Sequence, residues 1–440
     1  MTRKEVKVPS SRLTRASKFG GLLAKVATNV AYNGTKQLFS GNKPSVSDLV
    51  LTPSNLQKLT NELAAMRGAA MKLGQLLSMD AGELIPPELS QILAKLRDNA
   101  HAMPHKQLVT VLRGAWGDNW VDNFAYFNLK PFACASIGQV HIGNDDSGKK
   151  LAIKLQYPGV SNAIKSDVDN LGRILKLSGL IPKQVDLNTL LDKTAEQLVN
   201  EANYQLEARY IETFSDKLDN TLFALPNVSP LSTQTILVMS FIEGMPIEQA
   251  AALPEETRNH IVKNLFSLFF VELFELKLMQ TDPNFANYVF NSETHTIGLL
   301  DFGATREISP TISKGYLSLF TALSNHDNTQ VEDAARTIGF FKQYIDTTYL
   351  EQILALFDIA SIPLRFDGEY NFATCTIATQ LRAQSAAINK RKDQWHTPPV
   401  DALFIHRKIA GLYLIAKRLN AKVNVKQLFA KYTQEAKKTI

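Results

Sequence analysis

Two short polar motifs that flank a predicted β-hairpin constrain this chain more than any other feature of its sequence. The first motif runs from Gln280 to Asn287 and places Asp282 five residues before Asn287, and the second is Asp301-Phe302-Gly303. The hairpin consists of two strand-like stretches and the turn between them, at residues 288–290, 297–300 and 291–294. A hairpin folded in this way would return Asp301 to the side of Asp282 and Asn287.

The spacing of these motifs is that of the catalytic and metal-binding loops of kinases, D-x-x-x-x-N and D-F-G. Phosphoryl transfer needs an oxygen base that orients the nucleophile, and carboxylate and amide oxygens that hold Mg²⁺ on the phosphates of ATP. We therefore predict that Asp282 is catalytic and that Asn287 and Asp301 are metal ligands. Each motif taken singly is also a common turn or loop cap, so the prediction depends on their order and on the hairpin.

Composition and charge narrow the class of protein. The chain has 440 residues, of which 45% are hydrophobic, and only two cysteines, Cys134 and Cys375. They indicate no disulfide framework or thiolate metal site, and a reducing compartment is expected. The formal net charge of +6 suits anionic nucleotides or an acidic membrane surface, whereas no basic run with interleaved aromatic residues indicates nucleic-acid binding. No apolar run reaches the roughly 18 residues that span a bilayer, so we expect a soluble protein.

Residues 1–45 form a basic N-terminal segment. The first thirty residues contain seven lysines or arginines and a single acid, Glu5. Three interpretations stay open, which are a solvated terminus, an organellar transit peptide and a peripheral contact with anionic lipid. The expected location is therefore the cytoplasm, with or without peripheral membrane contact, or an organellar matrix if the protein is eukaryotic.

Residues 46–125 are predicted to form a helical extension. Apolar residues recur at threes and fours from Leu56 to Leu77, which is the pattern of an amphipathic helix. Lys72 and Gln75, in the sequence K-L-G-Q, are three residues apart and share a face near the apolar stripe. A lysine beside such a stripe can equally extend to solvent.

Residues 126–243 change to a strand-rich pattern typical of a nucleotide-binding sheet. The stretch 132–142 is predicted to be a hairpin whose turn binds phosphates through backbone amides. The predicted nucleotide-binding residues of this turn are Ala133, Ala135, Ser136 and Gly138. Lys154 follows in a strand of the V-A-I-K form, whose lysine binds the α- and β-phosphates. A buried lysine must be paired, and the alternative is an outward-pointing lysine on an edge strand.

A long amphipathic helix is predicted from Leu187 to Phe214. It carries Glu201 and Glu207, which at 100° per residue lie about 120° apart around the axis. One helix could therefore offer carboxylates to two different lysines, and we assign Glu207 to Lys154 and Glu201 to Lys72. A solvated charged face is the competing interpretation, because further glutamates lie nearby.

The strand-like stretch 235–244 leaves through a glycine and is interpreted as the hinge between two lobes. Backbone groups at Met239, Phe241 and Ile242 are predicted to bind adenine there. A helix is predicted to begin at Pro254, with acids in its first turn. The remainder, from 244 to 440, is predicted to be mostly helical apart from the catalytic hairpin.

With these residues in place, the chain resembles the UbiB-like atypical kinases, and most closely their branch linked to coenzyme Q (ubiquinone) biosynthesis. The resemblance covers about residues 67–419. Besides the two motifs of the hairpin it includes K-x-G-Q at Lys72 to Gln75, an alanine-rich loop at Ala133 to Ser136, the position of E-x-D at Glu201 to Asn203, and H-R-K at His406 to Lys408. Cys134 replaces an alanine of the loop and Asn203 replaces the aspartate of E-x-D. No A-P-E follows Gly303, so an activation segment of ordinary length is not expected.

The resemblance implies an α+β fold, namely a bilobal protein-kinase-like fold with an N-terminal helical extension and a mostly helical C-terminal lobe. The corresponding domains are 1–45, 46–125, 126–243 and 244–440. In that family the extension packs over the cleft and covers the site that a protein substrate would use. Lys72 would then lie in the nucleotide site and pair with Glu201, with Lys72, Gln75 and Glu201 in regulatory roles.

The function implied is ATP and Mg²⁺ binding by an atypical kinase or ATPase that supports ubiquinone production. Expected partners are the nucleotide and, beyond it, quinone-pathway enzymes or lipid intermediates. Two alternatives stay open. One is a conventional small-molecule or protein kinase, because D-x-x-x-x-N serves such enzymes equally well. The other is a nucleotide-gated module that binds quinone lipids.

Overall fold

The structure is a computed structural model and describes residues 102–135, 137–178, 187–341, 345–388 and 398–438. These residues form two compact units. The first contains the described residues as far as Glu212 together with Pro226–Phe241, and the second contains Thr213–Leu225 and the described residues from Ile242 onward. The predicted segment 1–45 and most of the extension 46–125 lie outside the described residues.

Thirteen strands and twelve α-helices are described. The strands are β1 (Tyr126–Phe127), β2 (Ala133–Cys134), β3 (Gly138–Asn144), β4 (Lys150–Gln156), β5 (Phe223–Ala224), β6 (Ile236–Ser240), β7 (Met245–Pro246), β8 (Leu278–Gln280), β9 (Tyr288–Asn291), β10 (Thr296–Leu299), β11 (Thr305–Glu307), β12 (Tyr370–Asn371) and β13 (Lys422–Val423). The helices are α1 (His105–Trp116), α2 (Val160–Ser178), α3 (Leu187–Glu201), α4 (Tyr204–Lys217), α5 (Glu255–Phe270), α6 (Pro310–Ser324), α7 (Asn328–Ile338), α8 (Thr347–Ala360), α9 (Ile362–Arg365), α10 (Ile377–Ile388), α11 (Val400–Arg418) and α12 (Val425–Lys438).

The first unit is built on a five-stranded antiparallel sheet. Its order is β1-β3-β4-β6, and β2 pairs with β3 as well. Helix α1 covers one face, where Leu108 and Leu112 join Ile153 and Leu155 in one hydrophobic cluster. The alternation of side chains along β4 therefore leaves its even-numbered residues on the opposite face.

The second unit is mostly helical, as predicted, and contains three small sheets. The largest has the order β5-β10-β9-β7, and β8 pairs with β11 and β12 with β13. Helix α5 packs against α11 and α12 and buries apolar residues such as Leu265, Phe269 and Phe270. Because neighbours cover α5 on several sides, it is apolar around much of its circumference. After α5 the chain forms a π-helical turn, Val271–Leu276, which ends at Lys277 with a φ of 52°.

The hairpin predicted between the two motifs is confirmed. Strands β9 and β10 pair antiparallel, with Leu299 opposite Tyr288 and Thr296 opposite Asn291. The segment after the D-F-G motif is short, and it forms a strand before the next helix begins. It first forms β11, where Thr305 lies opposite Gln280 on β8, and helix α6 begins only at Pro310 with Ser309 as its N-cap.

No helix in the described part of the chain is long and apolar enough to cross a membrane.

Candidate functional site

Lys154 lies on a central strand of the first unit, with β3 and β6 on either side of β4. Its Nζ donates to both carboxylate oxygens of Glu207, at 2.8 and 3.0 Å. Lys154 is 8% exposed and Glu207 is 1% exposed. The alternative of an outward-pointing lysine on an edge strand is therefore wrong, and the pair expected from the sequence is present.

The single helix predicted from Leu187 to Phe214 is two helices, because the helical conformation is interrupted after Glu201. Helix α3 ends at that residue and α4 begins at Tyr204. Glu201 and Glu207 therefore lie on two different helices, and the prediction that one helix carries both carboxylates is wrong. Glu207 reaches Lys154 from the first turn of α4.

Asn203 explains the break between α3 and α4. Its side-chain oxygen accepts the N–H of Leu206 at 3.1 Å, which is the bond of a helix N-cap. On the neighbouring strand, the side chain of Gln156 donates to the carbonyl of Ala202 at 2.6 Å. An asparagine before a helical segment is a start signal that the sequence carried, but the continuous apolar pattern concealed it.

Glu201 is the last residue of α3 and is buried. Its predicted partner Lys72, and the neighbouring Gln75, lie outside the described residues. The pairing of Glu201 with Lys72 therefore stays a prediction.

The alanine-rich loop forms a tight turn between β2 and β3. The N–H of Ala135 donates to the carbonyl of Gly138 at 2.8 Å, so this N–H closes the turn. Ala133 pairs with Val140 across the two strands, and Ser136 lies outside the described residues. A Cβ at Gly138 would lie 2.2 Å from the carbonyl oxygen of Leu155, so the sheet leaves room only for glycine there.

The predicted adenine-binding residues lie at the end of β6 and just beyond it. Met239 is buried and pairs with Ala152 of β4. The N–H of Phe241 donates to the carbonyl of Lys150 at 3.0 Å, so that N–H is used inside the first unit. Ile242 is the first residue of the return to the second unit.

Asp282 is held through both its backbone and its side chain in the second unit. Its carbonyl oxygen accepts hydrogen bonds from the side-chain amides of Gln280 and Asn287, each at 3.0 Å. Its carboxylate is ion-paired with Arg407 of α11. Arg407 belongs to the H-R-K segment, but its contact with Asp282 has no signature in the sequence, because the two residues are 125 positions apart.

The hairpin brings the two predicted metal ligands to one place. The N–H of Leu300 donates to the carbonyl of Asn287 at 3.0 Å. Asp301 is the next residue after Leu300 and therefore lies close to Asn287. Asn287 and Asp301 line the same small cavity. The side chain of Asp301 accepts the N–H of Gly303 at 2.9 Å, which fixes the carboxylate within its own turn.

The donor set fits Mg²⁺ that is held jointly with phosphate. The side-chain nitrogen of Asn287 donates to Asp282, which leaves its amide oxygen as the atom suited to a metal. Together with the Asp301 carboxylate, this makes two protein oxygens. Mg²⁺ commonly takes one or two carboxylates together with phosphate oxygens and water. Among the described residues no group of three or more His, Cys, Asp or Glu could form an all-protein cage.

Glu272 and Lys408 form a buried ion pair near Asn287 and Asp301, and no pattern in the sequence predicted it. Nζ of Lys408 is 3.0 Å from the Glu272 carboxylate, and each side chain is 1% exposed. Burial alone would lower the pKa of Lys408, but the Glu272 carboxylate and the Tyr288 hydroxyl outweigh it and raise that pKa above its usual value. Glu272 and Lys408 line the same cavity as Asn287 and Asp301.

Comparison with known proteins identifies the family of this chain. Residues 95–335, more than half of the chain, match the family model described as the ABC1 atypical kinase-like domain. The chain is 34% identical to the protein named atypical kinase COQ8, mitochondrial, from Saccharomyces cerevisiae, over 97% of this chain and 86% of that protein. It is 33% identical to atypical kinase COQ8B, mitochondrial, from Rattus norvegicus, over 97% of this chain and 81% of that protein.

A solved structure shows the same fold. The complex of Rv3197 with erythromycin from Mycobacterium tuberculosis superposes with a TM-score of 0.59 at 24% identity, over 84% of this chain and 94% of that one. The α+β, kinase-like fold predicted from the sequence is confirmed. The chain therefore belongs to the ABC1 atypical kinase-like family, the UbiB-like group that its motifs indicated.

Proposed function

We propose that this protein is an ATP- and Mg²⁺-binding atypical kinase or ATPase that supports ubiquinone biosynthesis. The observation that carries the proposal is the meeting of Asn287 and Asp301 at one cavity, beside an Asp282 that is fixed by two hydrogen bonds and an ion pair. Phosphoryl-transfer enzymes need this combination of a metal-binding amide, a metal-binding carboxylate and an oriented oxygen base.

Each residue has a distinct task in this proposal. Lys154 would bind the α- and β-phosphates, and Glu207 would hold Lys154 in position. Asn287 and Asp301 would bind Mg²⁺, which when bound neutralises the charge on the phosphates. Asp282 would orient the nucleophile, either water or a substrate hydroxyl, and accept its hydrogen bond. Arg407 would keep the Asp282 carboxylate aimed and prevent it from turning away.

The short segment after the D-F-G motif favours water or a small acceptor over a protein. Only residues 304–309 separate Gly303 from helix α6, and three of them are committed to strand β11. A protein-kinase activation segment forms a platform for the substrate peptide, and six residues leave no room for one. Phosphoryl transfer to a defined small acceptor is the second candidate, because Asp282 can orient a hydroxyl as well as water.

The link to ubiquinone comes from relatives and not from the site itself. The relatives in yeast and rat are named COQ8 and COQ8B and are described as mitochondrial, and the resemblance in the sequence points to the same branch. On this basis we propose quinone-pathway enzymes or lipid intermediates as partners, with peripheral membrane contact through the basic N-terminal segment.

The test is ATP turnover by the wild-type chain and by Asp301→Asn. The matched control is Asp333→Asn, which changes an exposed aspartate on α7. We expect turnover to fall at least a hundredfold in Asp301→Asn and to be unchanged in the control. Equal turnover by the wild type and Asp301→Asn would refute the catalytic proposal.

Two further measurements separate the proposed kinase or ATPase from its alternatives. Labelled γ-phosphate that appears on a lipid or metabolite faster than on water identifies a small-molecule kinase. A normal quinone profile in cells that carry Asp282→Ala in place of the wild type would favour a binding module, because catalysis would then be dispensable.

A further inference from the structure

We propose that helix α11 is the positioning element of the catalytic segment, and that it acts through the buried pair of Lys408 with Glu272 and through Gly411. The catalytic segment is defined here as residues 280–287. This inference rests on the proposed function, because it names the residues that set the geometry of the same site. Lys408 and Glu272 line the cavity of Asn287 and Asp301, but their polar groups bond to each other and to the backbone of Gln280. We therefore assign them, together with Gly411, a positioning role and not a role as ligands.

The Lys408–Glu272 pair forms hydrogen bonds with both polar groups of the Gln280 backbone, its carbonyl and its N–H. Nζ of Lys408 donates to the carbonyl of Gln280 at 2.8 Å. The N–H of the same residue donates to the Glu272 carboxylate at 3.1 Å. Because Lys408 and Glu272 are also paired with each other at 3.0 Å, the peptide groups of Gln280 are fixed by charge-assisted bonds, which are stronger than bonds between neutral groups.

Through its side chain, Gln280 also restricts the positions of Asp282 and Asn287. Its side chain donates to the Asp282 carbonyl at 3.0 Å. The side chain of Asn287 donates to the same carbonyl, also at 3.0 Å. The proposed base Asp282 and the proposed metal ligand Asn287 are therefore both positioned through the carbonyl oxygen of Asp282. Gln280 holds this oxygen in place, and Lys408 and Glu272 hold Gln280.

Gly411 supplies a second contact, one helical turn beyond Arg407 and Lys408. A Cβ at this position would lie 2.3 Å from both Cβ and Cγ of Pro283. Glycine inside a helix costs about 1 kcal/mol relative to alanine, so a reason for it is expected. Here the reason is close approach, because α11 can reach the Asp282-Pro283 turn only without a side chain at 411. Arg407, Lys408 and Gly411 thus present one face of α11 to the catalytic segment.

The energetics of burial favour positioning over stability as the role of the ion pair. Removing two charges from water costs several kcal/mol per ion, and well-packed apolar residues in place of a buried pair are often as stable or more stable. A pair that only held two helices together would therefore have an apolar equivalent. An apolar pair could not hold both the N–H and the carbonyl of Gln280.

The first test is Gly411→Ala, which adds one methyl group and changes no charge. Its matched control is Gly114→Ala, because Gly114 also lies in a helix but has nothing within 4 Å of an added Cβ. We expect kcat for ATP turnover to fall about tenfold or more in Gly411→Ala, since small displacements of a reacting group cost large factors in rate. The KM for ATP should stay within about threefold, and the control should match the wild type.

The second test removes the charges together in the double variant Glu272→Gln with Lys408→Met, which avoids leaving one buried charge unpaired. We expect kcat for ATP turnover to fall in this double variant. The single variant Lys408→Arg keeps the cation, so its kcat should lie between those of the double variant and the wild type. Lys263→Met, at an exposed lysine of α5, is the control for the substitution itself.

Hydrogen exchange of the peptide 278–288 provides a readout that does not depend on turnover. We expect faster exchange there in Gly411→Ala and in the double variant, with exchange elsewhere unchanged. If the wild type lacks ATP turnover, the proposed function fails while this exchange experiment still tests positioning. Unchanged exchange and unchanged kcat in both variants would overturn the inference.

Discussion

The carboxylate of Asp282 is ion-paired with the guanidinium of Arg407, a residue that lies 125 positions further along the chain on α11. The side chains are 18% and 13% exposed, so water screens the pair only partly. The structure thus supplies the proposed base with a fixed cationic partner from a distant helix.

The first prediction concerns Arg407. In Arg407→Gln the Asp282 carboxylate loses its cation, and we expect kcat for ATP turnover to fall about 10- to 100-fold with little change in the KM for ATP. Arg407→Lys keeps the charge but lacks the planar fork of guanidinium, so its kcat should lie between the two. Steady-state kinetics of the three proteins provide the measurement, and wild-type kcat in Arg407→Gln would contradict the positioning of Asp282 by Arg407.

The second prediction separates stability from nucleotide binding at Lys154 and Glu207. Glu207→Leu removes the carboxylate to which the buried Lys154 is bonded, and we expect the free energy of unfolding to fall by about 3–5 kcal/mol. The double variant Lys154→Met with Glu207→Leu removes both charges and should recover most of that loss. It should still fail to bind ATP. Chemical denaturation and ATP titration of both variants test this, and ATP binding by the double variant would exclude Lys154 as a phosphate ligand.

The third prediction concerns the metal. Asn287→Leu removes the amide oxygen assigned to Mg²⁺, and we expect the Mg²⁺ concentration for half-maximal turnover to rise about tenfold or more at fixed ATP. Asn220→Leu, at an exposed asparagine of the same unit, serves as the control. If the Mg²⁺ dependence of Asn287→Leu matched that of the control, the metal assignment would be wrong.

The fourth prediction is a pH dependence of stability that originates at His406. Burial lowers the pKa of this histidine from its usual 6.5 to about 4, and its ring stacks on Phe340 and bonds to the Tyr316 hydroxyl. Between pH 6.5 and 4 the unfolded chain binds a proton at this position and the folded chain does not. The free energy of unfolding should therefore decrease as the pH falls through this interval, by on the order of 2 kcal/mol.

His406→Phe should flatten this dependence, and urea unfolding at a series of pH values measures it. His141, whose pKa burial also lowers, contributes in the same direction and is unchanged in the variant. The comparison of slopes therefore isolates His406. Parallel slopes for the wild type and His406→Phe would show that the ring titrates equally in both states.

The local part of the site could be predicted from the sequence because it is encoded by short-range patterns. The turn between β9 and β10 and the two motifs that flank it lie within residues 280–303, so strand pattern and turn chemistry sufficed to predict that Asn287 and Asp301 meet. The pairing of Lys154 with Glu207 was also predicted. It follows from one general rule, that a lysine inside a buried strand needs a carboxylate.

The contacts of α11 with the catalytic segment could not be predicted in this way. They depend on which face of the helix packs against which loop, and tertiary packing decides that. Nothing in the spacing of His406, Arg407 and Lys408 indicates that one side chain meets Asp282 and the next meets Glu272. Gly411 has no signature of its own until Pro283 is placed against it. The break at Asn203 is different, because asparagine is a recognisable capping residue, but the apolar periodicity that continues across it favours a single helix.

The most direct test is calorimetric titration of the 440-residue chain with ATP in the presence and absence of Mg²⁺. We predict saturable binding that is strengthened by Mg²⁺ in the wild type. Lys154→Ala should abolish this binding, and Asp301→Asn should remove only the strengthening by Mg²⁺. Binding of ATP that is the same in the wild type, Lys154→Ala and Asp301→Asn would contradict the central claim that Lys154 binds ATP and that Asp301 binds its Mg²⁺.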